Sequence, residues 1–230
     1  TMWERIVDVI NGGKKFIITT HLFSEGDAIG SELALKRFLC DLNKEAVIVN
    51  NELLPPVYSC FDPDKDVKFL RSKDVNINLD DFDAIFMVDV ADWGQLGDFA
   101  DMIKASQITK ICIDHHPTNP GYADINVIDK GASSAGELIY DLIIHMNGEL
   151  TLELATPLYL SIATDTGWFK FSNTSAKAFK ACSALIEAGV KSQIIYEKLY
   201  HNKHASYLKL LNLMLGALSS ECDGQLVWTK

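Results

Sequence analysis

Short apolar runs alternate along the chain with longer stretches in which apolar residues recur at helical spacing. Residues 15–20, 45–50, 84–88 and 110–113 are rich in Ile, Val and Phe. That composition suits strands buried on both faces. Between and after them, residues 28–42, 134–146, 152–163, 174–188 and 193–201 carry the periodicity of helices packed on one side. Strand–helix alternation of this kind predicts an α/β fold, a mostly parallel, doubly wound (Rossmann-like) sheet flanked by helices. Ligands in such sheets bind where loops leave the carboxyl ends of the strands, so chemistry belongs in the loops after each apolar run.

Local signals sharpen the helix ends. Ser134 and Glu137 form an S-x-x-E capping box ahead of Leu138. Gly189 follows the run ALIEA as a C-terminal cap, and Pro157 is expected to kink the helix that contains it.

Composition narrows the class. Of 230 residues, 48% are hydrophobic and 23% charged, which fits a well-cored soluble domain. No apolar run approaches the roughly 18–20 residues of a membrane span, and no secretory leader is read. The five cysteines (Cys40, Cys60, Cys112, Cys182, Cys222) are scattered and form no CxxC pair, which argues against disulfides and zinc–thiolate chemistry and for a reducing cytoplasm. A net charge of −10 disfavours tight binding to long duplex nucleic acid. Phosphate esters remain accessible if cations mask the carboxylates locally.

Four loops carry the chemistry. HLFSEGDAIGS, after the first strand, offers His21, Glu25 and Asp27, with Gly26 as a turn that lets both acids face one point. Alone, this pattern describes a capped helix start equally well. Asp89 follows AIFMV, and a carboxylate ending a buried strand needs a partner or a cation; a helix cap is the plain alternative. ICIDHHPTN places Asp114, His115 and His116 after another strand. The two adjacent imidazoles are expected to point different ways, one to a metal and one to substrate, with Asp114 orienting an imidazole from behind. Asp165 closes an apolar helix face in SIATDTG, where helix termination by Gly167 is the alternative.

Taken together, His21, Glu25, Asp27, Asp89, His115 and Asp165 supply four carboxylates and two imidazoles. Oxygen and imidazole donors without thiolate suit Mn²⁺ best, with Mg²⁺, Co²⁺ or Zn²⁺ as substitutes. Six donors exceed what one cation needs if it also takes water and substrate, so a two-cation site bridged by Asp89 is expected.

At these motifs the chain resembles the DHH phosphoesterase superfamily, named for the Asp114-His115-His116 triplet. Within it, HLFSEGDAIGSE, AIFMVDVAD, ICIDHHPTN, GASSAGELIYDLI and LYLSIATDTGWFKFSNTS are similar to the bacterial oligoribonuclease and 3′,5′-bisphosphonucleotide (pAp) phosphatase type. The likeness runs from about residue 10 to 205. It implies that His21 and Glu25 hold one cation, that Asp27, His115 and Asp165 hold the other, and that Asp89 bridges them. His116 would contact the scissile phosphate, and metal-activated water would attack without a covalent intermediate. The implied substrates are short RNA, pAp or linear pApA.

Two departures stand out. The family pattern has aspartate at Glu25, and the extra methylene moves the carboxylate by about 1.5 Å. The family also continues into a C-terminal substrate-binding domain that is not seen here. The chain is therefore read as a catalytic domain at 1–205, followed at 206–230 by a linking helix and, in GQLVWTK, the first strand of that domain. A manganese-dependent inorganic pyrophosphatase is the second reading, and a metal-binding pseudoenzyme disabled at Glu25 the third. Exposed apolar residues leave a homodimer open without marking an interface.

Overall fold

The computed structural model describes residues 2–73, 75–201 and 205–229. By its internal contacts the chain forms two units, Thr1–Ser192 and Gln193–Lys230. The first is built on a six-stranded, wholly parallel sheet of order β3-β2-β1-β4-β5-β6. Its strands are β1 Lys15–Thr19, β2 Glu45–Asn50, β3 Val67–Phe69, β4 Ala84–Val88, β5 Thr109–Asp114 and β6 Ile125–Ile128. The helices are α1 Glu4–Gly12, α2 Gly26–Asp41, α3 Phe99–Ala105, α4 Ala135–His145, α5 Leu152–Asp165 and α6 Ala176–Glu187.

The doubly wound parallel sheet is the one expected. All five residues of β4 are buried, as a central parallel strand between two helical layers requires. One face of the sheet carries Ile17, Ile85, Met87 and Cys112 against Phe99 and Ile103 of α3. On the other side α2 lies along β1, β2 and β4 and packs against α4 and α5. The chain winds outward in opposite directions from β1 and β4. The switch point, where a crevice opens at the strands' carboxyl ends, therefore lies between those two strands.

Strands β3 and β6 and helices α1 and α3 were not among the expected elements. Both strands are edges of only three and four residues, and α3 has only seven, too short for any period to declare itself. Pro157 lies inside α5, which runs unbroken through it for 14 residues. The second unit contains most of α7 (Ser192–Tyr196), a π-helical turn Glu197–His201, α8 (Ala205–Gly216) and an antiparallel pair of β7 (Ser219–Glu221) with β8 (Leu226–Trp228). Among the described residues no helix is long and apolar enough to cross a membrane.

Candidate metal centre

The crevice between β1 and β4 holds the first two donors. His21, two residues beyond β1, places its Nε2 3.3 Å from Oδ2 of Asp89, the residue that follows β4. A 2.6 Å contact between His21 Nδ1 and the Leu22 carbonyl oxygen fixes the ring. Asp89 is 1% exposed and takes a left-handed backbone, φ 58°, which aspartate tolerates better than β-branched residues do.

Both neighbouring histidines close on Asp89. Its Oδ1 lies 3.6 Å from His115 Nε2 and 3.5 Å from His116 Nδ1, with the two rings 4.8 Å apart. The expectation that adjacent imidazoles diverge is thus corrected. Both residues lie past the end of β5, outside the paired strand whose geometry enforces alternation. The rings differ in exposure instead, His115 at 12% and His116 at 37%.

Asp27 and Asp165 approach from the helical side. His115 Nε2 is 3.5 Å from Asp27 Oδ2 and 3.8 Å from Asp165 Oδ2. Two groups of described residues could each hold an ion: Asp89 with His115 and His116, and Asp27 with His115 and Asp165. Glu25 belongs to neither. It is exposed at the cap position of α2, within electrostatic reach of His21 and Asp165.

Asp27 is held by more than its own helix. Its carboxylate accepts from the backbone N–H groups of Ala135 (2.8 Å) and Gly136 (3.1 Å), the first turn of α4. It also accepts from Ser161 Oγ of α5 (2.5 Å) and Ser31 Oγ (3.1 Å). A helix N-terminus favours an anion through free N–H groups and its dipole. The capping box starts that turn in place: Ser134 Oγ accepts from Glu137 N–H, while Glu137 turns back to the N–H and hydroxyl of Ser133. Gly26 has a different role from the turn expected of it. A Cβ there would come within 2.4 Å of the Thr164 hydroxyl, so the glycine permits close packing of α2 on α5.

Behind the histidines, Asp114 is fully buried and accepts from His116 Nδ1 and Asn119 Nδ2, each at 2.7 Å. Those bonds hold its carboxyl below the usual range although burial alone would raise it. The bond to Asp114 lifts His116 to about 9. Burial first, then the charges of Asp89 and Asp165, push Asp27 well upward. Burial and the same crowding raise Asp165. Burial would depress His21, but the hydrogen bond and charge of Asp89 outweigh it and the net direction is up. Away from the centre, burial also raises Glu32, whose carboxylate accepts from Asn50.

Asn119, Ser161 and Asn173 were not foreseen. Ser161 had a readable signal, a hydroxyl breaking an apolar helix four residues before Asp165, and Asn119 lies inside the DHHPTN run itself.

The donors fit a divalent cation. Asp89 Oδ1 is buried and has no hydrogen-bond partner among the described residues, a costly state for a carboxylate oxygen unless a cation engages it. Crowded acids also make the metal-free fold bind protons. Asp27, Asp165 and Glu32 hold theirs more tightly folded than unfolded, so their contribution is complete below about pH 4 and is lost as pH rises. His116 contributes fully below about pH 6.5, and that contribution is lost as pH passes about 9. Asp114 acts oppositely, stabilising above about pH 4 and losing this on acidification. Chelator-treated protein is therefore expected to melt at progressively lower temperature between pH 6 and 9, with a flatter profile in saturating Mn²⁺. A flat metal-free profile would count against carboxylate crowding.

Comparison with known proteins agrees with this architecture. Residues 15–162 match the family described as "DHH family, N-terminal domain". The chain is 32% identical over 215 residues to the bifunctional oligoribonuclease and PAP phosphatase of Thermus thermophilus, covering 91% of this chain and 61% of that protein. It is 28% identical over 205 residues to the Bacillus subtilis protein of the same description, covering 88% and 62%. An exopolyphosphatase-related protein of Bacteroides fragilis superposes with a TM-score of 0.90 at 25% identity, covering 96% of this chain and 66% of that one. The chain thus spans about three fifths of the length of the curated relatives it matches.

Proposed function

Because the chain belongs to the DHH family, we propose that it is a divalent-cation-dependent phosphoesterase acting on short oligoribonucleotides and on 3′,5′-bisphosphonucleotides such as pAp. The observation that carries this reading is Asp89, a buried carboxylate with one unpartnered oxygen, ringed by His21, His115 and His116. The names of the relatives from T. thermophilus and B. subtilis support the substrate class.

His21, Glu25 and Asp89 would hold one cation, and Asp27, His115, Asp165 and Asp89 a second, with manganese the preferred metal. Bound there, two divalent ions would activate water near neutral pH and offset the charge developing on a transferring phosphoryl group. The chain's own groups do the rest. With Nδ1 of His116 engaged by Asp114 and the ring protonated below about pH 9, its Nε2–H is left to donate to a phosphate oxygen. Asn119, bonded to both Asp114 and the Val90 carbonyl, keeps that aspartate from turning. Asp27 is held as an acceptor by α4 and Ser161 rather than being left to reach for the substrate.

The test assays the full-length protein side by side on pAp, a short oligoribonucleotide and pyrophosphate. Phosphate from pAp, or mononucleotide from the RNA, is expected with Mn²⁺, with loss under chelator and return on adding metal. Metal binding with cleavage of neither nucleotide substrate would sink the proposal. Hydrolysis of pyrophosphate alone would favour the pyrophosphatase reading.

A further inference from the structure

We infer that Asn173 is a positioning residue of this centre, a brace that fixes Asp165 relative to Asp27; the inference rests on the metal-centre reading above. Asn173 follows α5 by eight residues and returns to its end. Its Nδ2 donates to the Asp165 carboxylate (Oδ2, 3.0 Å) and lies 3.1 Å from the carbonyl oxygen of the same residue. The same amide nitrogen reaches the Ser133 carbonyl at 2.9 Å. Ser133 immediately precedes the Ser134 cap of α4, and the first N–H groups of α4 hold Asp27. One side chain thus ties the segment that carries Asp165 to the segment whose N–H groups hold Asp27, two of the three donors in the Asp27–His115–Asp165 group.

The amide is oriented by its donor end. Asn173 Oδ1 is buried with no hydrogen-bond partner among the described residues, so nothing on the acceptor side sets the rotamer. A buried carbonyl oxygen left bare costs stability, and such sacrifices concentrate where function fixes geometry. Asp165 gains the most. It is the least buried of the three acids around His115, and it ends a helix where the backbone would otherwise leave its side chain several rotamers.

Manganese titration of metal-free protein, followed by calorimetry and by the spin-resonance signal of free Mn²⁺, tests this without reference to turnover. Asn173→Ala is expected to weaken one class of Mn²⁺ sites by about 10–100-fold, the usual effect of removing a group that orients a ligand, and to leave the other class unchanged. Asn173→Asp, equal in size, should weaken that class at least as much by placing a like charge against Asp165. In an Asp165→Ala background, Asn173→Ala should add nothing. Unchanged Mn²⁺ affinity in both single variants would overturn the inference. So would an equal loss in the Asp165→Ala background, which would mean that Asn173 only pins the Ser133 segment. Should Asn173→Ala melt below the assay temperature, Asn173→Asp carries the test. Absence of nucleotide hydrolysis with these shifts intact would defeat the proposed function and leave the brace standing.

Discussion

Asp89→Asn is expected to lower metal-dependent hydrolysis by on the order of 10³-fold or more, since a donor shared by two cations, the role proposed for Asp89, would support several kcal/mol of transition-state stabilisation and each 1.36 kcal/mol is tenfold in rate. Asparagine keeps the size of the side chain and tolerates the φ of 58°, so the loss reports charge rather than backbone. Stability should move the other way. In metal-free protein, Asp89 adds unfavourable charge to both Asp27 and Asp165. Removing that charge should leave the melting temperature of chelated protein unchanged or higher, while the gain in stability on adding Mn²⁺ shrinks. Hydrolysis within tenfold of the parent would refute the central role of Asp89. A lower metal-free melting temperature would refute the crowding.

Gly30→Ala carries the largest expected loss of stability. A Cβ on Gly30 would sit 2.3 Å from the Pro157 carbonyl oxygen and 3.0 Å from the Ser161 Cβ, and a backbone oxygen inside a helix cannot step aside cheaply. Overpacking of this sort costs about 1–3 kcal/mol, sometimes more, against which alanine returns up to about 1 kcal/mol of helix propensity. For a unit of this size, each 1 kcal/mol lost is about 2–4 °C in melting temperature. Gly12→Ala, where an added Cβ meets nothing within 4 Å, is the control and should be neutral or mildly stabilising. If the two substitutions behave alike, close approach of α2 and α5 is not what requires Gly30.

The sequence exposed the sheet well where strands are central. The run at 84–88 coincides with β4 because burial on both faces leaves an unbroken apolar stretch, and the run at 45–50 coincides with β2, whose apolar stretch is AVIV. Edge strands β3 and β6 have no such stretch, and Lys68 in β3 is exposed. At the centre, the residues flagged by position after strands, His21, Asp89, His115 and His116, do converge, since a parallel sheet gathers those ends at its switch point. Asp27 and Asp165 join them from helices. What could not be read was how each acid is held. Asp27 is gripped by residues 108 and 134 positions away, and Asn173 reaches Ser133 across 40. Such partners depend on helix packing, which leaves no local period in the chain. Gly26 illustrates the same limit: its small size was visible, but its reason lay in a threonine on another helix.

Ser161 donates to Asp27, and it is also the atom set that a Cβ on Gly136 or Gly30 would strike, with its hydroxyl 2.0 Å from the first and its Cβ 3.0 Å from the second. Its position therefore answers to two demands at once, donating to Asp27 and lying against Gly136. Ser161→Ala would remove the shortest of the three bonds to Asp27 Oδ1 and leave those from the Gly136 N–H and Ser31 Oγ. At Gly136 an added Cβ would meet the Ser161 side chain first, whereas at Gly30 the Pro157 carbonyl oxygen stands closer, at 2.3 Å. Room at Gly136 and the grip on Asp27 are thus set by one side chain, so a substitution at 161 is felt at both.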